Sequence, residues 1–321
     1  MADDEILIIR HGALGDMIQS LGPIQAIRRH HPQARITLLT TPPFRSLAEA
    51  CPWIDRVWLD ARPGWRQPLA WLALRRQLRS GKFRRVYDLQ TSGRSSFYLH
   101  LFPRHGRPEW SGIAIGGSHL HDNAHRDHMH TIDRQRDQLR GAGIDEVPAP
   151  DLAWLGGDIA GFDLPPDYAL LVPGGSAHRP GKRWPAAHYA ALCRLLDAGG
   201  VLPVLLGGPD EGGLATEIAD AAAVPVRDLS GRTDFAAIAS LARGARLAVG
   251  NDTGPMHIIA TAGCPAVVLF SDQSDPRLCA PRGRAVRVLE QDRLAALEPA
   301  RVWAEAEKLL RGDAPPAQAR A

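Results

Sequence analysis

Short apolar runs recur along this chain, each followed by a longer stretch in which apolar residues return every three or four positions. In the first half the runs predict strands near 5–9, 35–40, 55–59, 84–90 and 110–114. The helical spacing between them predicts helices near 16–30, 44–50, 68–80, 94–101 and 132–142. Residues 145–167, DEVPAPDLAWLGGDIAGFDLPPD, break the pattern with Pro, Gly and Asp, the composition of a linker. The alternation then restarts. YALLVPGG reads as a strand ending in a glycine turn, and PAAHYAALCRLLDAGG as a helix closed by glycines. VLPVLLGG, LAVGN and CPAVVLF follow as strands, with helices over DEGGLATEIADAAA, FAAIASLARGA, the stretch after NDTGPMH, and EPARVWAEAEKLLRG. The closing DAPPAQARA has the composition of a disordered tail. Strands alternating with helices in this way predict an α/β protein with parallel sheets. Two Rossmann-like domains facing across a cleft are expected, over 1–155 and 156–321, with the last helix able to pack back on the first.

A length of 321 residues suits two such domains, and 45% hydrophobic with 23% charged residues is the balance of a soluble protein. No run approaches the roughly 18 apolar residues a bilayer span requires. The start, MADDEILIIRHG, is acidic and turns at once into a strand, which does not read as a signal peptide. Cys51, Cys193, Cys264 and Cys279 lack CxxC spacing and read as buried thiols of a cytoplasmic protein. The net charge of +3 is unevenly spread. Residues 1–150 hold 21 Lys and Arg against 15 Asp and Glu, and from Arg62 to Arg107 eleven basic residues meet one acid, Asp88. That stretch is either a solvated helix face or a surface for an anionic partner.

Ligands of open parallel sheets bind beyond the carboxyl ends of the strands, so three strand-to-helix turns carry the candidate chemistry. In RHGALGD, Gly12 and Gly15 permit a tight turn and a close approach, and Asp16 falls at or near a helix N-cap. Two readings stand for Asp16: a cap, or a carboxylate that takes a proton from a substrate hydroxyl. In VPGGSAHRPGKRWP, Gly174, Gly175 and Ser176 precede Lys182, and amides with an ammonium suit a phosphate. It is not a Walker loop, because Arg183 stands where Ser or Thr is needed. In VGNDTGPMHIIATAG, Asn251 to Gly254 open a helix whose N-terminus suits a pyrophosphate. Asp252 is placed for ribose hydroxyls or for capping.

Together these turns resemble glycosyltransferase family 9, the heptosyltransferases that act on lipopolysaccharide. HGALGDMIQSLGPIQAIRRHHPQARI, PGGSAHRPGKRWPAAHYAAL, LLGGPDEGGLATEI and the stretch from DLSGRTDF to CPAVVLF carry the likeness over about residues 6–285. The resemblance implies a GT-B fold and an inverting, metal-independent transfer with no cofactor. The donor is a nucleotide sugar, ADP-heptose foremost, held by the second domain, and the acceptor is an anionic glycolipid bound by the first. It implies Asp16 as the base and Lys182 as the cation that neutralises the leaving diphosphate. Asp252, Thr253, Gly254 and His257 form the donor loop with Met256 lining it; Glu211 reaches the ribose, and Gly15, Gly175 and Ser176 complete the donor surroundings. His11, Arg62, Arg66, Arg94 and His119 are the acceptor-side candidates. The implied setting is the cytoplasmic side of the inner membrane, with peripheral contact to its surface. One departure stands out: family members read FGPTDP after the last strand, and here FSDQSDP has an extra residue, which bears on the donor sugar.

Competing readings rest on less. Arg10-His11-Gly12 resembles the histidine-phosphatase signature, but His178, His188 and His257 fall in loop or helix contexts and supply no second strand-then-His-Gly. No GxGxxG follows the first strand, as a dinucleotide oxidoreductase would need, and no nucleic-acid recognition module is visible. The tract with His119, His121, His125, His128 and His130 lacks a spacing that assigns a metal, so no metal is expected. Another nucleotide sugar, or an acceptor other than lipopolysaccharide, remains the nearer alternative.

Overall fold

The computed structural model describes residues 4–175 and 179–312, so Ser176, His178 and the tail from 313 lie outside the described residues. The chain divides into two compact units, Met1–Trp154 and Leu155–Ala321.

The first unit runs β1 (Glu5–Ile9), α1 (Leu14–Gln19), α2 (Leu21–His30), β2 (Arg35–Thr40), α3 (Arg45–Ala50), β3 (Arg56–Leu59) and α4 (Pro68–Ser80). It continues with β4 (Arg85–Asp88), α5 (Gly93–Phe97), β5 (Glu109–Gly112), β6 (His119–Leu120) and α6 (Thr131–Arg140). All six strands are parallel, in the order β3-β2-β1-β4-β5-β6. Ile6 to Ile9 are buried on both faces, as the central strand of a doubly wound sheet demands. Leu7 and Ile9 point to one side, into a core with Leu74, Leu78, Tyr98 and Leu99. Ile6 and Ile8 point to the other, where α2 and α6 pack together.

Local chemistry explains the departures from the expected elements. The helix expected over 16–30 breaks at Ser20, because Pro23 has no N–H to give Gln19 and its ring crowds that carbonyl. The strand expected to reach 90 ends at Asp88, whose carboxylate accepts the N–H groups of Gln90 (3.1 Å) and Thr91 (3.0 Å) and turns the chain.

The second unit runs β7 (Tyr168–Val172), α7 (Ala186–Ala198), β8 (Leu202–Leu205), α8 (Gly212–Ala222), β9 (Arg227–Asp228) and α9 (Phe235–Gly244). β10 (Leu247–Asn251), α10 (Gly254–Thr261), β11 (Ala266–Phe270), α11 (Pro276–Cys279), β12 (Val286–Glu290) and α12 (Pro299–Leu310) complete it. Its parallel order, β12-β11-β10-β7-β8-β9, repeats the winding of the first sheet. Val302, Ala306 and Leu309 of α12 join the core built by α7, α8 and β7. In each sheet the winding reverses between two neighbouring strands, β1 and β4 in one, β7 and β10 in the other. Those reversals open crevices at the carboxyl ends.

Candidate active site

At the first reversal β1 runs into Arg10, His11 and Gly12. Gly12 has φ +116°, and a side chain there would meet the Phe44 ring, so the turn requires glycine. Asp16 is the third residue of α1 rather than its N-cap. One carboxylate oxygen accepts the Ala13 N–H at 3.1 Å, and the other pairs with Arg10 Nη2 at 2.9 Å. Arg10 also donates to the Leu89 carbonyl at 2.6 Å, which ties β1 to the end of β4. Burial pushes the Arg10 guanidinium below its ordinary pKa, and Asp16 opposes that shift. Asp16 therefore both caps and stays available: its side chain is 38% exposed while two partners hold its direction. Arg10 went unnoticed in the sequence because its importance depends on the fold that brings Asp16 and Leu89 to it.

His11 is 5% exposed, with Nε2 3.0 Å from Asp60 Oδ2 and off the line of an ideal hydrogen bond. The Tyr98 hydroxyl donates to the same carboxylate, and the Arg62 N–H donates to its other oxygen at 2.7 Å. Burial alone pushes the Asp60 carboxyl up, but these partners together hold it below its ordinary value. A ring committed to a buried carboxylate is not presented to a phosphoryl group, so the phosphatase signature is coincidental.

Arg62 joins this turn through its backbone. Arg66 and Arg94 lie over the Trp65 and Trp71 rings at 4.5 and 5.5 Å. His119 is not brought to Asp16. It stands on β6, the outermost strand, 3.9 Å from Glu109 at the amino end of β5. Two other histidines of that tract do structural work: His121 meets Asp137 at 3.0 Å, and His130 caps α6 through the Ile132 N–H. Among the described residues no group of three or more His, Cys, Asp or Glu converges on a metal position.

At the second reversal Lys182 Nζ lies 2.6 Å from Asp252 Oδ2, with both side chains largely buried. Ser274 Oγ donates to the same oxygen at 2.7 Å, so the departing FSDQSDP loop touches the pair directly. Thr253 is the N-cap of α10, and its Oγ1 is buried with no hydrogen-bond partner among the described residues. An unsatisfied hydroxyl beside the Gly254 N–H, which opens α10 ahead of Pro255, is a setting for an anionic oxygen.

Glu211 accepts the Gly175 and Gly208 N–H groups at 2.9 Å each, lashing the β7 turn to the β8 turn. Its carboxylate is thus already engaged where a ribose contact was expected. Met256 is fully buried, and a side chain at Gly250 would strike its thioether and Val172, so it packs beneath the β10 turn. His257 is likewise buried, one turn into α10.

The residue missed in the sequence is Asn251. Fully buried, it donates to the Pro173 (2.8 Å) and Gly174 (3.1 Å) carbonyls and accepts from the Trp184 N–H (3.1 Å) and the Tyr189 hydroxyl (3.2 Å). It joins the β7 turn, the Lys182 loop and the β10 turn. In sequence it reads as one more capping residue.

Two sheets of one winding, each with its polar residues at its own reversal, have the fold of the GT-B class. The family profile of glycosyltransferase family 9 (heptosyltransferase) matches residues 71–301, and the chain belongs to that family. Over 107 residues it is 35% identical to lipopolysaccharide heptosyltransferase 3 of Escherichia coli, a match covering 32% of this chain and 31% of that one. The chain therefore spans about a third of the length of that relative. It is 26% identical to lipopolysaccharide heptosyltransferase 2 of Escherichia coli K12, over 89% of this chain and 87% of the relative. The solved structure of E. coli ADP-heptose lps heptosyltransferase II matches with a TM-score of 0.75 at 23% identity, covering 96% of this chain and 99% of that one, a likeness of fold.

Proposed function

We propose that this protein transfers a heptose from an ADP-sugar to the core of a lipopolysaccharide acceptor, with inversion and without a metal ion. The observation that carries the proposal is Asp16: a carboxylate oriented by Arg10 and the Ala13 N–H, yet open to a substrate. Asp16 takes the proton of the acceptor hydroxyl as its oxygen bonds to the sugar C1. The C1–oxygen bond to the diphosphate breaks, and ADP leaves with the electron pair. Lys182, the Thr253 hydroxyl and the Gly254 N–H hold the charge that develops there. Those groups are cationic or neutral donors, so the charge is met without a divalent ion. The diphosphate competes with Asp252 for Lys182, and Asp252 is then released toward the ribose. The named relatives support the heptose and the lipopolysaccharide acceptor. The reading places the reaction at the cytoplasmic face of the inner membrane.

The Ser274 contact to Asp252 favours a second reading, in which the donor is an ADP-sugar other than heptose. A donor screen with ADP-heptose and other nucleotide sugars, using wild type and Asp16→Ala, tests both. The expected result is transfer from an ADP-sugar by wild type and its loss in the variant. Undiminished transfer by Asp16→Ala overturns the base, and turnover of no donor overturns the enzyme class.

A further inference from the structure

A groove of about 520 Å³ opens on the first unit, lined by Trp65, Trp71, Arg94, Phe97 and Leu101. None of these is placed in the transfer chemistry above except Arg94, an acceptor-side candidate. Its lining residue Trp65 is 80% exposed, and Leu69, four residues on in the first turn of α4, is 81% exposed. Soluble surfaces rarely leave such residues side by side without a partner. The surrounding charge is of one sign. The single acid between Arg62 and Arg107, Asp88, is fully buried, so every exposed charge of that stretch is positive. Arg62, Arg66, Arg75 and Arg76 are exposed and form no ion pair among the described residues. Along α4 the exposed positions pass from Pro68, Leu69 and Leu72 to Arg75, Arg76 and Arg79, an apolar end followed by a basic end. The guanidinium groups of Arg66 and Arg94 lie over the indoles of Trp65 and Trp71. Indole and aliphatic groups flanked by arginine are the composition of an interfacial surface: the apolar part enters the acyl boundary and the cations meet headgroup phosphates.

We propose that this face docks on an anionic phospholipid bilayer, with Trp65 and Leu69 entering the acyl boundary and one lipid chain seated in the groove. The inference deepens the glycolipid reading and rests on it for the reason the enzyme needs a membrane. Charge complementarity selects the occupant, since a neutral protein partner leaves the arginines unanswered.

Vesicle flotation tests it on the full chain, with phosphatidylglycerol in phosphatidylethanolamine against phosphatidylcholine alone. Two variants are compared with wild type, Trp65→Ser with Leu69→Ser, and Arg75→Gln with Arg76→Gln. All four positions are solvent-facing, and circular dichroism checks the fold. Wild type is expected to float with the anionic vesicles and to release as salt is raised. Each double variant is expected to lose affinity roughly tenfold or more. Absence of flotation, or equal flotation of wild type and both variants, overturns the proposal. Loss in the arginine variant alone overturns the seated chain and leaves only electrostatic adhesion. Tighter binding to an oligonucleotide than to vesicles overturns it in favour of a nucleic acid. Flotation as expected without any sugar transfer sinks the transfer reading and not this one; transfer to a delipidated acceptor without flotation does the reverse.

Discussion

Arg10 and Asp16 separate two roles that a single carboxylate combines. Asn at position 16 still accepts the Ala13 N–H but cannot take a proton, so Asp16→Asn isolates the base from the cap. The expected outcome is a fall in kcat on the order of a hundredfold or more in transfer assays, beside a stability loss of about 3 kcal/mol in urea melts because the buried Arg10 loses its carboxylate. Activity that survives in the folded variant would reduce Asp16 to a cap. Burial shifts two groups of this unit in opposite directions. Burial raises the Asp88 carboxyl from 3.8 to about 7, and lowers the His31 imidazole from 6.5 to about 4. Between pH 4 and 7 native Asp88 keeps a proton that the unfolded chain releases, so its contribution to stability falls as pH rises through that window. Between pH 4 and 6.5 the unfolded chain protonates His31 and the native state does not, so that contribution rises with pH. Asn at 88 can keep both turn hydrogen bonds. In Asp88→Asn the melting temperature should therefore climb more steeply from pH 4 to 6.5 than in wild type, while His31→Gln should flatten or reverse it. An unchanged profile in Asp88→Asn means the carboxyl is ionised throughout.

At the scale of elements, the features legible in the sequence are those that neighbouring residues impose. The apolar quartet of β1, the glycine turn at 12, the Lys182 loop and the start of α10 stood out because their signals lie within a dozen residues. The two-residue strands β6 and β9 carry no periodicity, and each exists because a longer strand offers it an edge. The break at Ser20 was legible in principle, since Pro23 enforces it, but the apolar spacing on both sides masks the proline. Arg10, Asn251 and the engagement of Glu211 were not legible, because each depends on partners dozens of residues away. Asn251 shows what such a residue is worth. Asn251→Ala leaves the Pro173 and Gly174 carbonyls and the Trp184 N–H buried and unpaired, at about 1–3 kcal/mol for each. A loss of at least about 3 kcal/mol is expected in urea melts that follow the second unit, with weaker ADP binding by calorimetry. Losses below about 1 kcal/mol would mean that water replaces the amide and that Asn251 is no keystone.

At the scale of the molecule, the same winding occurs twice, and each copy carries a different chemistry at its reversal. The first presents a carboxylate steadied by a buried arginine. The second presents a lysine held by an aspartate, an unpaired hydroxyl and a helix N-terminus. That division makes a prediction about where a nucleotide acts, independent of the sugar it carries. ADP bound through Lys182, Thr253 and the Gly254 N–H would stabilise the unit that holds them, by about 2.7 kcal/mol at a hundredfold excess over its dissociation constant. Hydrogen exchange on the full chain should then slow at the amides of 173–175, 182–184, 207–211 and 251–254. Exchange around Arg10 to Asp16 should stay unchanged. Lys182→Ala should remove the slowing at 251–254, because Asp252 then stands without its cation and repels the diphosphate. Asp252→Asn leaves Lys182 without its competitor, so the diphosphate no longer has to displace a carboxylate, and ADP should be held at least as tightly as in wild type. Weaker ADP binding in that variant would mean that the ribose contact of Asp252 outweighs the exchange of partners at Lys182. Slowing centred on 10–16 instead would assign the nucleotide to the first reversal and overturn the division of labour between the two units.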